Sequence, residues 1–313
     1  MNKNIKICFM GSPLFGRNVL EKLIEEFNVV LVVTQPDSYT NGGRKIIEQP
    51  VKILSKEKNI PVFQPTNIKD DYQELTKYDF DFIITAAYGQ FIPKVVLNMP
   101  KIKVLNVHGS NLPKYRGGAP IQRAIMNGDE YLGVSIMETV VKMDAGDIYH
   151  KSLIKLEDDD NLDSMMDKLS KRGALDIIPV IESLYNDKNS IVPIKQEESE
   201  VTYSYNIKKE EEYLDFNYDA TKLFNLIRAL NSNPVAKLKY KDKEYKIYSS
   251  KVVECSNDDI IPGTIIDNKK ALIIKCKTNA LSILTIQPPS KTIMDIKSFL
   301  NGYRNSFNID DKI

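Results

Sequence analysis

The chain has no tryptophan, two histidines and three cysteines in 313 residues. Cys8, Cys255 and Cys276 are scattered and odd in number, which suits a reducing compartment and supplies no metal-ligand spacing. With so little imidazole and such dispersed thiols, three protein ligands for zinc are out of reach, and no metal is expected. No run of about 18 apolar residues occurs, so no membrane span is expected. The first strand starts almost at the N-terminus, which leaves no room for a signal or transit segment and points to the cytoplasm. A formal charge of +1 excludes a molecule governed by one overwhelming field and leaves local basic patches open. The turn Gly11-Ser12-Pro13-Leu14-Phe15-Gly16 has Pro13 where the dinucleotide fingerprint needs its second glycine, so a nicotinamide cofactor is not expected.

What is present alternates. Ile5 to Met10, Val29 to Thr34, Phe82 to Ala86 and Val104 to Val107 read as buried strands, with helical spacing between them at Val19 to Ile24 and Val51 to Lys58. This predicts a mostly parallel α/β sheet of roughly four strands, with Pro61 to Phe63 as a short extended piece. Gly133 to Glu138 and Asp147 to Leu156 read as further strands, and Leu162 to Leu184 as a helix packed across the sheet. The length favours two domains. A polar stretch, 187–207, reads as the linker between residues 1–186 and 208–313. Beyond it lie one amphipathic helix, Thr221 to Leu230, and five short strands, which suggest a small barrel of the oligonucleotide-binding (OB) type. Residues 208–313 hold 18 Lys and Arg against 14 Asp and Glu, an excess that a solvated face explains as readily as RNA does.

The chemistry gathers between Asn106 and Asp147. A strand delivers Asn106 and His108 at its C-terminal end, where open α/β sheets place their ligands. A Gly/Pro-rich loop follows, and the acidic turn Met143-Asp144-Ala145-Gly146-Asp147 can bring a carboxylate back. Taken singly, Asn106 and Ser110 could satisfy loop backbone, and Asp144 is an ordinary turn residue. Together they make a polar set in a chain nearly without histidine. An amide and an imidazolium can both donate to an oxygen that becomes negative, and a carboxylate can orient the ring and take a proton from an attacking amine. That suits carbonyl-group transfer through a tetrahedral intermediate. A serine hydrolase fits less well, because Ser110 lacks the G-x-S-x-G elbow and lies only two residues from His108. The long polar loop Ser38 to Gln49 carries Arg44 and Lys45 beside Gly42 and Gly43. It reads either as a solvated tip or as a contact for a phosphate backbone.

The run Asn106-Val107-His108-Gly109-Ser110-Asn111-Leu112-Pro113-Lys114-Tyr115-Arg116-Gly117-Gly118-Ala119-Pro120-Ile121-Gln122-Arg123 closely resembles the methionyl-tRNA formyltransferase family. The likeness runs nearly end to end, through Thr34-Gln35-Pro36-Asp37, Pro50-Val51-Lys52, Ala87-Tyr88-Gly89, Met143 to Asp147, Thr202-Tyr203, Arg228-Ala229 and Pro262-Gly263-Thr264. The resemblance implies a Rossmann-like formyltransferase domain followed by an OB-like tRNA-binding domain. It implies catalysis by Asn106, His108 and Asp144, and folate contact by Ser110, Asn111, Leu112 and Pro113. The co-substrate it implies is 10-formyltetrahydrofolate, and the partner initiator methionyl-tRNA. Arg44, Lys45, Lys208 and Lys209 are the basic residues it offers to RNA, and the chain is expected to act as a monomer. Two departures stand out. Gly42 occupies a position where the family's loop commonly has Arg, which shifts that contact to Arg44 or Lys45. The aromatic that follows the family's Arg-Ala pair is absent from Ala229-Leu230-Asn231-Ser232-Asn233-Pro234. The competing readings are a formyltransferase for the amine of a nucleotide-linked sugar and an RNA-binding protein on an inactive formyltransferase fold.

Overall fold

A computed structural model describes residues 2–39, 45–257, 259–303 and 306–313. Gly42 and Arg44 therefore lie outside the described residues, and the reading placed on them goes no further here. The chain divides into two compact units. One is Met1–Pro120, Tyr131–Lys155 and Met166–Tyr205; the other is Ile121–Glu130, Leu156–Met165 and Asn206–Ile313.

In the first unit the apolar runs become β1 (Lys6–Gly11), β2 (Asn28–Val33), β3 (Val62–Phe63), β4 (Phe82–Ala86) and β5 (Lys103–His108), all paired in parallel. Two further strands follow, β6 (Tyr131–Glu138) antiparallel to β5 and β7 (Ile148–Lys155) antiparallel to β6, giving a seven-stranded order β7-β6-β5-β4-β1-β2-β3. The sheet is thus mostly parallel, as the alternation predicts, with Val62–Phe63 supplying a fifth parallel strand. The short extended piece at Pro61 to Phe63 thus joins the sheet, beside β2.

Between β1 and β2 runs α1 (Leu14–Glu26), whose Phe15, Val19, Leu20 and Leu23 recur at helical spacing and are buried. The motif Pro50-Val51-Lys52 opens α2 (Pro50–Glu57). Pro50 stands in the first turn, where its missing N–H costs nothing, and Val51 is buried. Lys52 pairs with Asp37, and that ammonium holds the Asp37 carboxyl below the usual carboxylate range. The two motifs therefore brace each other. Between them the loop read as long and irregular contains a two-residue ladder, Ser38–Tyr39 against Ile46–Ile47, whose four side chains are exposed. A long helix, Leu162–Asn186, packs on the sheet, as its apolar spacing predicts. Gly173 sits so close to Val107 that an added Cβ would lie 2.4 Å from its Cγ1, so only glycine fits there.

The stretch expected as a linker carries contacts of its own. Ile194 forms an antiparallel bridge with Ile148, and Tyr203–Ser204 pairs in parallel with Arg116–Gly117.

In the second unit α3 (Ala220–Leu230) lies on an antiparallel sheet of β8 (Ala236–Tyr240), β9 (Lys243–Val253), β10 (Ile265–Asp267), β11 (Leu272–Lys275) and β12 (Ala280–Gln287). The order is β8-β9-β12-β11-β10, with β13 (Met294–Asp295) also on β12. Among the described residues β8 and β10 do not pair, so the OB-like barrel takes the form of a curled half-barrel. Register shifts in β9 near Ser249 supply the bend. Leu223, Ile227, Leu238, Ile247, Ile283 and Phe299 belong to its closed apolar core.

Candidate active site

Parallel pairing aligns the C-terminal ends of β1, β4 and β5. Gly11 lies opposite Ala86, and Thr85 lies opposite Asn106. The chain must turn sharply at that edge, and it does so through Ala87 at φ 50° and Gly89 at φ 85°. Gly11 is equally constrained, since a Cβ there would meet the Ala86 carbonyl at 2.6 Å. Just past the edge, the Ser12 hydroxyl accepts from the Gln35 amide at 2.9 Å and from Thr34 Oγ1 at 3.1 Å. Gln35 in turn donates to the Tyr88 carbonyl at 3.0 Å. The motifs around Ser12, Thr34 and Tyr88 are therefore one hydrogen-bonded rim along the strand ends.

Asn106 and His108 lie on β5 with alternate spacing, so both side chains leave the same face of the sheet. Asn106 Oδ1 accepts from Thr85 Oγ1 at 2.9 Å. His108 is 7% exposed. Its Nε2 lies 3.2 Å from the Tyr115 carbonyl, and its Nδ1 lies 3.8 Å from Asp144 Oδ1. The second distance exceeds a hydrogen bond, so the carboxylate faces the ring as a charge without bonding to it.

Asp144 owes its position to the backbone around it. The residue has φ 49°, its Oδ2 accepts from the Gly117 amide at 2.9 Å, and Gln196 Nε2 donates to the Asp144 and Gly146 carbonyls at 2.8 and 2.7 Å. Gly146 is indispensable to this turn, because a Cβ would fall 1.9 Å from the Glu138 carbonyl. Arg116 is fully buried and donates from Nε to Gln196 at 2.9 Å and from both terminal nitrogens to Glu198 Oε1 at 3.1 Å. A buried guanidinium is costly unless all its donors find partners. Here the partners also brace the turn that carries the candidate acid.

Ser110 to Pro113 fold back over β6. The Ser110 hydroxyl donates to the Lys114 carbonyl at 2.9 Å, which commits it to the backbone and away from nucleophilic duty. Ser135 Oγ donates to the Ser110 carbonyl at 2.7 Å and accepts from the Leu112 amide at 3.2 Å. Leu112 is fully buried beside Met137 and Ile148, so its side chain anchors the loop and leaves Asn111 and Pro113 nearer the surface. Gly133 lies beneath Asn111, with 2.5 Å to an added Cβ.

The structure thus brings Asn106, His108 and Asp144 together, with the Ser110–Pro113 loop following directly on β5. Lys45, Lys208 and Lys209 are exposed, the last two in the second unit. Sequence reasoning missed Thr85, Gln196 and Ser204. Ser204 Oγ donates to the same Tyr115 carbonyl at 3.1 Å. For Thr85 a signal existed, since it is the lone hydroxyl in the buried strand Phe82–Ala86. Gln196 and Ser204 fell in the stretch read as linker. Among the described residues no group of His, Cys, Asp and Glu could hold a metal ion. A separate cavity of about 150 Å³ in the second unit is lined by residues including Asp158, Asp160, Arg228, Tyr248 and Ser250, and none of the site residues borders it.

Comparison with known proteins matches this arrangement to a family. Residues 3–181 match the formyl transferase family, and residues 206–304 match the formyl transferase C-terminal domain. The methionyl-tRNA formyltransferase of Mycoplasma capricolum subsp. capricolum is 41% identical over 317 aligned residues, covering 100% of this chain and 99% of the relative. That of Staphylococcus aureus strain MW2 is 40% identical, covering 96% and 97%. Among solved structures, HypX from Aquifex aeolicus in complex with tetrahydrofolic acid has a TM-score of 0.66 at 18% identity, covering 99% of this chain and 50% of that one. WlaRD, a sugar 3N-formyl transferase, has a TM-score of 0.64 at 18% identity, covering 92% and 99%. These structures share the fold. A catalytic-domain match over more than half the chain and full-length relatives at this identity settle the matter: the chain belongs to the formyl transferase family.

Proposed function

We propose that this chain transfers the formyl group of 10-formyltetrahydrofolate to the amino group of methionine on initiator methionyl-tRNA. The observation that carries the reading is the full-length similarity, at 41% identity, to proteins named for that activity, second domain included. The methionyl amine attacks the formyl carbon, forming a C–N bond and a tetrahedral oxyanion. The Asn106 amide nitrogen and the imidazolium edge of His108 donate to that oxygen. Asp144, held by Gly117, stabilises the imidazolium and takes the proton released by the amine. The carbon–N10 bond then breaks, the same proton passes to N10, and tetrahydrofolate leaves. Atoms and charge balance without a metal or a covalent enzyme adduct. The loop Ser110–Pro113 cradles the folate, with Leu112 as its buried anchor. Lys45, Lys208 and Lys209 face solvent where they suit a phosphate backbone. No helix among the described residues is long and apolar enough to cross a membrane, which agrees with a cytoplasmic enzyme.

The competing acceptor is a sugar-linked amine, favoured by fold likeness alone. Incubation with 10-formyltetrahydrofolate and either charged initiator tRNA or an aminosugar nucleotide decides between them. Formylmethionyl-tRNA is the expected product; label on the sugar alone would replace this reading.

A further inference from the structure

An asparagine amide has a donor end and an acceptor end, and only the donor end can serve an oxyanion. Nothing in β5 itself fixes which end faces the site. The neighbouring strand does. Thr85 is the partner of Asn106 in the β4–β5 register, is 5% exposed, and is the one polar side chain in Phe82–Ala86. A hydroxyl buried in such a strand is costly unless it is bonded. Its Oγ1 lies 2.9 Å from Asn106 Oδ1 and 3.4 Å from the Leu105 carbonyl. With the amide turned over, Thr85 would have to accept from the Asn106 nitrogen and send its own proton to Leu105 across the longer distance. The shorter bond therefore selects the orientation with Oδ1 inward and the amide nitrogen toward the site. β-Branching holds the hydroxyl steady, since Thr has few χ1 states on a strand.

We infer that Thr85 is a positioning residue: its hydroxyl holds the Asn106 side chain so that the amide nitrogen faces the developing oxyanion. The inference rests on the oxyanion role proposed for Asn106. It also assigns the polar position in β4 to catalysis and not to packing, because valine would fill the same volume with no hydroxyl to satisfy.

The test uses the full-length enzyme and steady-state formylation, with KM measured for both the folate and the charged tRNA. Thr85→Val is expected to lower kcat about 10- to 100-fold, as misdirection of one oxyanion donor does, with both KM values and the melting temperature nearly unchanged. Thr85→Ser, which keeps the hydroxyl, is expected to restore most of that loss. In an Asn106→Ala background, Thr85→Val is expected to cost nothing more, because the group it positions is gone. Wild-type kcat for Thr85→Val overturns the inference, and so does a full additional loss in the Asn106→Ala background. If Thr85→Val does not fold, the Thr85→Ser and Thr85→Ala pair carries the same comparison. Wild-type turnover by Asn106→Ala overturns instead the reading of Asn106 itself, so the two failures are separable.

Discussion

Both units bury polar groups beside an apolar core, and they use them differently. In the second unit the core is a cluster of aliphatic and aromatic side chains, with Phe299 stacked on Tyr303 at 5.2 Å and packed at an angle on Phe307 at 5.8 Å, and its buried polar residues, Asn225, Ser250, Lys275 and Ser282 among them, are no part of the candidate site. The first unit has comparable apolar cores, yet at one edge of its sheet it also buries Thr85, His108, Ser110, Arg116, Ser135 and Ser204. Apolar burial at about 25 cal/mol per Å² holds a fold together with little regard to which residue supplies the area. Buried polar groups stabilise little and cost heavily when left unpaired. The difference teaches where function sits: substitutions in the second unit's core should be read in stability, and those at the strand ends in rate.

The largest effect sharpens that division. His108→Ala should reduce the formylation rate by about three orders of magnitude, the scale of losing a charged oxyanion donor, while the melting temperature stays close to that of the parent. Single-turnover rates and a thermal melt check it together, and a mutant that is merely unstable would break the division. The mirror-image experiment is Phe299→Ala, fully buried in the second unit. It should cost about 3–5 kcal/mol in denaturant unfolding, with the chemical step of the folded fraction intact under single-turnover conditions. Gly146→Ala lies between the two. A Cβ at 1.9 Å from the Glu138 carbonyl must displace the Asp144 turn, and a shift of about 1 Å in a reacting group costs about 100-fold in rate.

The smallest effect concerns charge. Arg123, in the second unit, donates to both oxygens of Glu211, at 2.5 and 3.0 Å. That guanidinium holds the Glu211 carboxyl at about 2, down from 4.5. The folded value is the lower one, so the pair stabilises the fold above about pH 4.5 and the contribution disappears as pH falls toward 2. With a third of the Glu211 side chain exposed, the amount is discounted to about 1 kcal/mol. The melting difference between wild type and Glu211→Gln should therefore be present at pH 7 and shrink below pH 4.5; a difference constant across that range would contradict the pairing.

How much of this was legible in the sequence follows from range. Strand ends and turns are local, so Asn106, His108 and Asp144 could be read from a strand end, a Gly/Pro loop and an acidic turn. The parallel sheet could be read from alternation. What escaped depends on register between distant segments. Thr85 matters only because β4 and β5 align it with Asn106, and Ser204 only because Tyr203–Ser204 pairs with Arg116–Gly117. Polar composition made 187–207 look like a linker, yet Gln196 there carries two bonds that hold the Asp144 turn. In the sequence Arg116 is only one member of the Asn106–Arg123 run, and its complete burial is a tertiary fact.

The proposed mechanism needs the Asp144 carboxylate as a charge beside His108 and not as a structural link. Asp144→Asn separates the two, because an amide oxygen can still accept from the Gly117 amide while the negative charge is gone. The single-turnover rate of formyl transfer to methionyl-tRNA should fall by at least about 100-fold, with an unchanged melting temperature. Turnover by Asp144→Asn at the wild-type rate would contradict it.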